Sequence, residues 1–403
     1  MKKYTFFTLN NFTLDGGGRV RIYGILNALA SQGKDVTLIS NVIDKSKFNS
    51  DIKHTTMNLD ISFYEKKLFQ FSLAIFPNFI NKIIFSKYLK AFKEKIDENL
   101  KNEIIFFEYL DNSFGYFYKV NGLIDSYVND IHGIAPLEFA YNESKGIKKV
   151  YNLLRYEIAK ILDFKVMEKA DKVIVVSEAM KRYFLNNYTF LEDKIIVIRD
   201  GVSKKICTQN IDNDLLKIVS QKYKNDNKKI IFFAGNFKDL GGVLDLVHAF
   251  IKLADKRDDI KLFLIGDGEH FNNAKKLITN TKLDKLVYFL GRVPYAKLKT
   301  YQQIADVIVC PDKKHPYSDI LLHIKYFDSL ISNKVVINGN FKAVQEINKN
   351  QSISIDFEPS DINDLMDKIN YVLNNLSVLN EKYKHNSEVI CQNYTYESFV
   401  KGF

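Results

Sequence analysis

Three apolar runs, KIIFFAG (Lys229–Gly235), IKLFLIG (Ile260–Gly266) and LVYFLG (Leu286–Gly291), follow one another in the second half of the chain, each ending on glycine and each followed by a helical pattern. Runs this short and this continuously apolar suit strands buried on both faces of a parallel sheet, and the glycines suit loops at its carboxyl edge. Three further runs, Asp306–Pro311, Lys334–Gly339 and Ser352–Ile355, extend the series. The first half repeats the alternation with Tyr4–Leu9, Asp35–Ser40, Glu103–Glu108, Leu123–Val128, Lys172–Ser177 and Lys194–Ile198. Strands alternating with helices predict α/β units throughout, and 403 residues are too many for one ordinary core. The expected fold is therefore two Rossmann-like domains facing across a cleft. The polar stretch Cys207–Lys229 reads as the boundary. The predicted division is 1–205 as the first domain, 206–227 as a linker, 228–383 as the second, and 384–403 as a helix crossing back to the first.

A hydrophobic fraction of 46% with 26% charged residues is that of an ordinary soluble chain. The first apolar run is broken by Asn10 and Asn11, so it reads as a strand and not as a leader. No uncharged apolar stretch is long enough to span a bilayer, which predicts a cytoplasmic location. Cys207, Cys310 and Cys391 are far apart and match no metal spacing, so they are expected to be unpaired thiols in a reducing compartment. The net charge of +10 favours anionic partners. Zinc-finger spacings and basic recognition helices are absent, which argues against nucleic acid. One segment, Tyr64–Ile96, crowds Phe71, Phe76, Phe79, Ile83, Ile84, Tyr88 and Phe92 among lysines. Two readings fit it: a helical hairpin facing the core with a solvated lysine face, or a basic amphipathic surface lying peripherally on the inner face of an anionic membrane.

Candidate site residues cluster after strands. Asp15, Gly16, Gly17 and Gly18 follow the first strand and open a helix, with Arg19 and Arg21 beside them. Free N–H groups at a helix start attract an anion, and the arginines add full charges. Asp130 and His132 follow the strand near Tyr127, and a histidine there can bind a sugar hydroxyl or move a proton. Gly235, Asn236, Lys238 and Gly241 form a second candidate phosphate cradle, and Asp267 and the pair Arg292–Val293 occupy the next two loops. Three successive loops at one sheet edge line one wall of a site. Lys325 and Asp328 lie in a later helix, where the carboxylate can accept ribose hydroxyls and the lysine can meet a phosphate.

The stretch 260–311 resembles the core of the retaining GT-B glycosyltransferases of family 4, also called group 1, in Gly266-Asp267-Gly268, Val287–Gly291, Ala305-Asp306 and Pro311. The first half is similar in Gly16–Gly18, Leu29–Gly33, Val36–Leu38, Ala170–Ser177 and Asp200–Val202. The resemblance covers most of the chain. It implies a nucleotide-sugar donor held mainly by the C-terminal domain, an acceptor held mainly by the N-terminal one, and no metal or other cofactor. His132 would lie near the transferred sugar, Gly17 and Gly18 beside the diphosphate, Arg292 and Val293 beside the base, and Asp328 on the ribose. Three positions depart from the family pattern: Ile320 stands at the first acidic position of the Glu-seven-residues-Glu motif, and Asn236 and Gly241 stand where a basic pair is usual. Lys238, Arg292 and Lys325 are the cations that could replace that pair.

These features imply sugar transfer to a glycan or a lipid-linked acceptor in cell-surface polysaccharide synthesis, such as capsule or lipopolysaccharide. Two other readings remain open at this point: an inactive GT-B protein that stabilises another transferase, and an epimerase or phosphorylase of similar architecture.

Overall fold

The computed structural model describes residues 3–13, 16–96, 104–140 and 146–402; Asp15 and Glu103 lie outside them. The chain divides into two units, residues 1–199 with 399–403, and residues 200–398.

Unit 1 holds a parallel sheet in the order β3-β2-β1-β4-β5-β6-β7. Its strands are β1 (Lys3–Asn11), β2 (Asp35–Val42), β3 (Lys53–Thr56), β4 (Ile104–Phe107), β5 (Tyr127–Ile131), β6 (Lys172–Val175) and β7 (Ile195–Val197). The helices are α1 (Gly17–Ser31), α2 (Phe63–Ile75), α3 (Asn78–Ile84), α4 (Ser86–Lys93), α5 (Glu108–Val120), α6 (Ala135–Ala140), α7 (Ile147–Lys169) and α8 (Glu178–Asn187). Five strands fall where the apolar runs predict them. β5 starts four residues late, because the chain leaving α5 turns at Gly122, with φ +72°, and Leu123 N–H bonds back to Tyr118 O. β3 escapes the sequence reading because Lys-His-Thr-Thr has no large apolar residue; it is an edge strand, where polar side chains belong.

The segment 64–96 divides its apolar residues between two environments. Ser62 and Glu65 form a reciprocal cap that starts α2. Phe69, Phe85, Tyr88 and Phe92 are buried, with Phe69 stacked on Phe114 at 4.6 Å and Phe92 on Tyr118 at 3.8 Å. Phe63, Tyr64, Leu68, Phe71, Ile75, Phe76, Phe79, Ile83 and Ile84 stay exposed. The core-facing reading therefore accounts for only part of this segment.

Unit 2 holds a second parallel sheet, in the order β10-β9-β8-β11-β12-β13. These strands are β8 (Lys229–Ala234), β9 (Ile260–Ile265), β10 (Val287–Gly291), β11 (Val307–Cys310), β12 (Val335–Gly339) and β13 (Ile355–Phe357). Its helices include α9 (Lys204–Cys207), α10 (Asn213–Tyr223), α11 (Val243–Ala254), α12 (Phe271–Thr281), α13 (Tyr295–Gln302), α14 (Pro316–Asp319), α15 (Ile324–Leu330), α16 (Lys342–Gln345), α17 (Ile362–Asn374), α18 (Leu376–Tyr383) and α19 (Asn386–Asn393). β8, β9 and β11 are buried almost throughout, which is why they read as unbroken apolar runs.

Two expectations are corrected here. Residues 206–227 are not a linker. Val202 bridges to Thr395, Asp212 caps α10, Val219 is buried, and Lys299 Nζ donates to the carbonyls of Ile206, Cys207 and Gln209. Polar composition disguised a capped amphipathic helix as a connector. The chain end behaves likewise, since residues 384–398 stay with unit 2 and only 399–403 join unit 1. The second correction concerns the cysteines. Cys207 and Cys391 form a disulfide, with Cα atoms 5.8 Å apart across 184 residues of sequence. The Val202–Thr395 bridge brings α9 and α19 together, a proximity that spacing cannot reveal. Cys310 is buried and free, its thiol pushed up to about 12 by burial.

Candidate functional site

In each unit the strand order reverses beside the first strand, between β1 and β4 and between β8 and β11. Open parallel sheets leave a crevice at such a switch point, beyond the carboxyl ends of the strands.

In unit 2 three loops meet there, backbone to backbone. Gly235 N–H donates to Ile265 O at 3.0 Å, Gly266 N–H to Gly291 O at 2.8 Å, and Phe237 N–H to Asp267 O at 3.0 Å. The loops predicted after β8, β9 and β10 thus form one hydrogen-bonded series. Close approach requires the glycines. A Cβ at Gly266, where φ is +127°, would lie 1.8 Å from Gly235 O, and one at Gly242, with φ +66°, would lie 1.7 Å from Pro311 O.

The side chains around these loops are placed as follows. Lys325, from α15, lies beside Gly235; its Cδ would be 3.6 Å from a Cβ there. Its Nζ donates to Asp312 Oδ1 at 2.7 Å, and His323 Nε2 is 3.9 Å from the same oxygen. Asp312 is buried just past β11. Asn236 and Lys238 are exposed on the loop after β8, and a Cβ at Gly241 would lie 2.8 Å from Asn236 O. Asp267 accepts from Gly268 N–H at 2.8 Å, and Arg292 Nε is 3.9 Å from Asp267 Oδ2, both side chains largely exposed. Val293 is half-buried. At the first acidic position of the family motif, Ile320 is buried, while Asp319 turns to Lys342, accepting from its N–H and ion-pairing with its Nζ. Asp319 is therefore committed to the start of α16.

Asp328 is buried on α15 and accepts from the Tyr295 hydroxyl at 2.6 Å. Burial pushes its carboxyl up to about 7, although the tyrosine bond acts in the opposite sense. The folded chain thus keeps a proton that the unfolded chain releases near pH 4. This group's contribution to stability is complete below about pH 4 and is lost as pH rises through about 7. Thermal melts between pH 5 and 8 are expected to show unit 2 weakening with rising pH in the wild type and weakening less in Asp328→Asn. Identical slopes would show that Asp328 does not hold that proton.

In unit 1, Gly16 precedes α1 and Gly17 and Gly18 form its first turn, and among the described residues no side chain caps its N–H groups. The Arg19 guanidinium folds back over this end, its Nη1 3.2 Å from where a Cβ on Gly16 would sit. Arg19 Nε is buried and has no hydrogen-bond partner among the described residues.

Arg21 does not join it. Sequence reasoning placed both arginines at the anion, but Arg21 is fully buried and faces inward. Its Nε and Nη2 donate to the two oxygens of Asp130 at 2.9 and 3.0 Å, and the same guanidinium donates to Ile198 O and Arg199 O at 2.9 and 3.2 Å. The signal was present in the helix spacing, since Arg21 precedes Ile25 and Ala28 by four and seven residues and so lies on the core face.

Asp130 in turn lies 3.6 Å from His132 Nδ1. Burial acts to raise the Asp130 carboxyl, but Arg21 and His132 outweigh it and hold the carboxyl below the usual carboxylate range. The assignment of Asp130 as a catalytic group is therefore corrected: sealed at 0% exposure and neutralised by Arg21, it can position His132 but cannot touch a substrate. Asp312 and Tyr295 were also missed, because their partners lie 13 and 33 residues away.

Two family models match the chain, Glycosyltransferase Family 4 over residues 15–205 and Glycosyl transferases group 1 over residues 216–390. The chain belongs to the group 1 glycosyltransferases of GT-B fold. Among curated relatives, an uncharacterized glycosyltransferase of Methanocaldococcus jannaschii is 26% identical over 197 residues, 49% of this chain and 47% of its own. The GPI3 subunit of phosphatidylinositol N-acetylglucosaminyltransferase from Saccharomyces cerevisiae is 23% identical over 223 residues, 55% of this chain and 47% of its own. The chain thus spans about half the length of the curated relatives it matches. Among solved structures, Anabaena HepE in complex with UDP-glucose superposes with a TM-score of 0.73 at 13% identity, covering 99% of this chain and 97% of its own. At that identity the likeness speaks to the fold.

Proposed function

We propose that the chain transfers a sugar, with retention, from a nucleoside diphosphate sugar to a glycan or a lipid-linked acceptor in cell-surface polysaccharide synthesis. The observation that carries this reading is the series of three loops over β8, β9 and β10, with Lys325 of α15 beside Gly235 and Asp328 of α15 bonded to Tyr295, the residue that ends the loop after β10. HepE is solved with UDP-glucose, and the yeast relative is named for a phosphatidylinositol acceptor, which supports a nucleotide donor and a lipid-linked acceptor.

Sugar transfer builds negative charge on the leaving diphosphate, so the protein's task is to neutralise it and to align the acceptor. Lys325 is the cation best placed beside Gly235 to stand in for the basic pair absent at Asn236 and Gly241, with Lys238 on the same loop. Asp328, once ionised, is a buried acceptor for two ribose hydroxyls. Transfer is expected to need no metal.

The test is release of nucleoside diphosphate from a panel of UDP-, GDP-, CDP- and ADP-sugars, with and without EDTA. One donor is expected to be consumed, and EDTA to leave the rate unchanged. Asp328→Ala is expected to weaken binding of the matching nucleotide by about 1.5–3 kcal/mol, the worth of a hydrogen bond to a charged group. Equal affinity of the two proteins by calorimetry would remove Asp328 from the ribose. Nucleotide binding with no release from any donor would favour the inactive partner instead.

A further inference from the structure

Helix α2 is apolar on two sides. Phe69 and Leu73 face the core, while Tyr64, Leu68, Phe71 and Ile75 recur at intervals of four, three and four and remain exposed, Tyr64 at 81%. On α3, Phe79 and Ile83 repeat the pattern at 66% and 74% exposure. So does α7, with Ala159, Leu162 and Val166 buried and Ile147, Val150, Leu154 and Ile161 exposed. A surface helix ordinarily carries one apolar stripe, toward the core.

The stripes adjoin. Lys67 Nζ sits over the exposed Phe63 ring at 4.2 Å and 3.3 Å from the Tyr151 hydroxyl of α7, and Lys165 Nζ donates to Leu73 O and Ala74 O at the end of α2. Among the described residues of unit 2, exposed large hydrophobics are scattered singly, at Ile218, Tyr371, Val378 and Val389. A contiguous patch of this kind marks an interaction surface.

Charge identifies the partner. Lys66, Lys82, Lys148 and Lys149 are exposed on the same elements, and Lys90 is exposed on α4, the helix that follows α3. The carboxylates Glu65 and Glu157 already face Lys87 and Lys160. A second copy of the chain would bring these lysines face to face across a two-fold contact, and lysine is depleted from protein interfaces. A surface with apolar stripes and a lysine rim instead matches the boundary between headgroups and acyl chains. Among the described residues no helix is long and apolar enough to cross a membrane, so the contact lies in the interface.

We infer that the outer faces of α2, α3 and α7 form one docking surface for an anionic lipid bilayer. The apolar stripes enter the interface and the lysines meet the headgroups. The sequence pointed only to 64–96; the structure adds α7, which lies 50 residues further along the chain. This inference does not depend on the transfer reaction.

The test is flotation of the full chain with vesicles of phosphatidylcholine alone or with phosphatidylglycerol added. Binding is expected with the anionic vesicles at low salt, little binding with neutral ones, and release in high salt. Two variants are compared, both at exposed positions: Leu68→Ser/Phe71→Ser/Leu154→Ser and Lys82→Glu/Lys90→Glu/Lys149→Glu. Each is expected to reduce partitioning by at least about tenfold while keeping the wild-type melting temperature. Absence of flotation at low salt, or flotation that neither variant reduces, overturns the proposal. So does a stable dimer in solution that the serine variant converts to monomer.

Discussion

Arg21→Met is expected to destabilise unit 1 by about 3–5 kcal/mol, the usual cost of leaving one member of a buried ion pair alone. Asp130 is at 0% exposure, so the carboxylate stranded by the substitution has no water to turn to. The Ile198 and Arg199 carbonyls lose a donor at the same time. Hydrogen exchange of α1 and β5 amides reads the effect directly, since those amides open only with the surrounding structure. The double variant Arg21→Met/Asp130→Leu is expected to recover much of the loss, because an apolar pair of similar volume can replace a buried ion pair at little cost. A single variant within about 1 kcal/mol of wild type, or a double variant no better than the single, would show that the pair does not hold these elements together.

His132→Ala is expected to lower turnover by about 10²–10⁴-fold, the range for losing a positioned proton-transfer group, while nucleotide affinity changes little. The expectation follows from position. His132 belongs to unit 1, and its Nδ1 faces Asp130. The ring nitrogen on the far side is the one an acceptor or donor sugar would meet. The loops proposed to hold the nucleotide belong to unit 2. Asp130→Asn provides the complementary measurement. If Asp130 positions His132, this variant shifts the pH profile of turnover and leaves nucleotide affinity intact, which a purely structural loss would not do. Collapse of nucleotide affinity in His132→Ala, with turnover per bound donor retained, would move His132 out of the transfer step.

Much of this molecule was legible before its structure. Strands buried on both faces must be continuously apolar, so the runs ending at Gly235, Gly266 and Gly291 announce a parallel sheet and, by their order, a loop series at one edge. The family resemblance over 260–311 added the expectation of a nucleotide site there. β3 was not legible, because an edge strand needs no apolar residue. α10 was not legible as part of unit 2, because a capped surface helix can be as polar as a linker.

What the chain determines by itself is local: which segments become strands or helices, and which glycines permit tight approach. Pairing across the sequence belongs to the tertiary structure. The sequence shows Arg19 and Arg21 as two cations beside a glycine loop; folding leaves Arg19 at the helix start and buries Arg21 against Asp130, 109 residues away. It shows Cys207 and Cys391 as strangers and Asp328 as an ordinary acid, yet folding joins the first two and raises the third to about 7. The physical reason is common to all three. Charge, redox partner and proton affinity depend on what else occupies the neighbouring few ångströms, and in a two-unit α/β chain those neighbours come from strands and helices far apart in sequence.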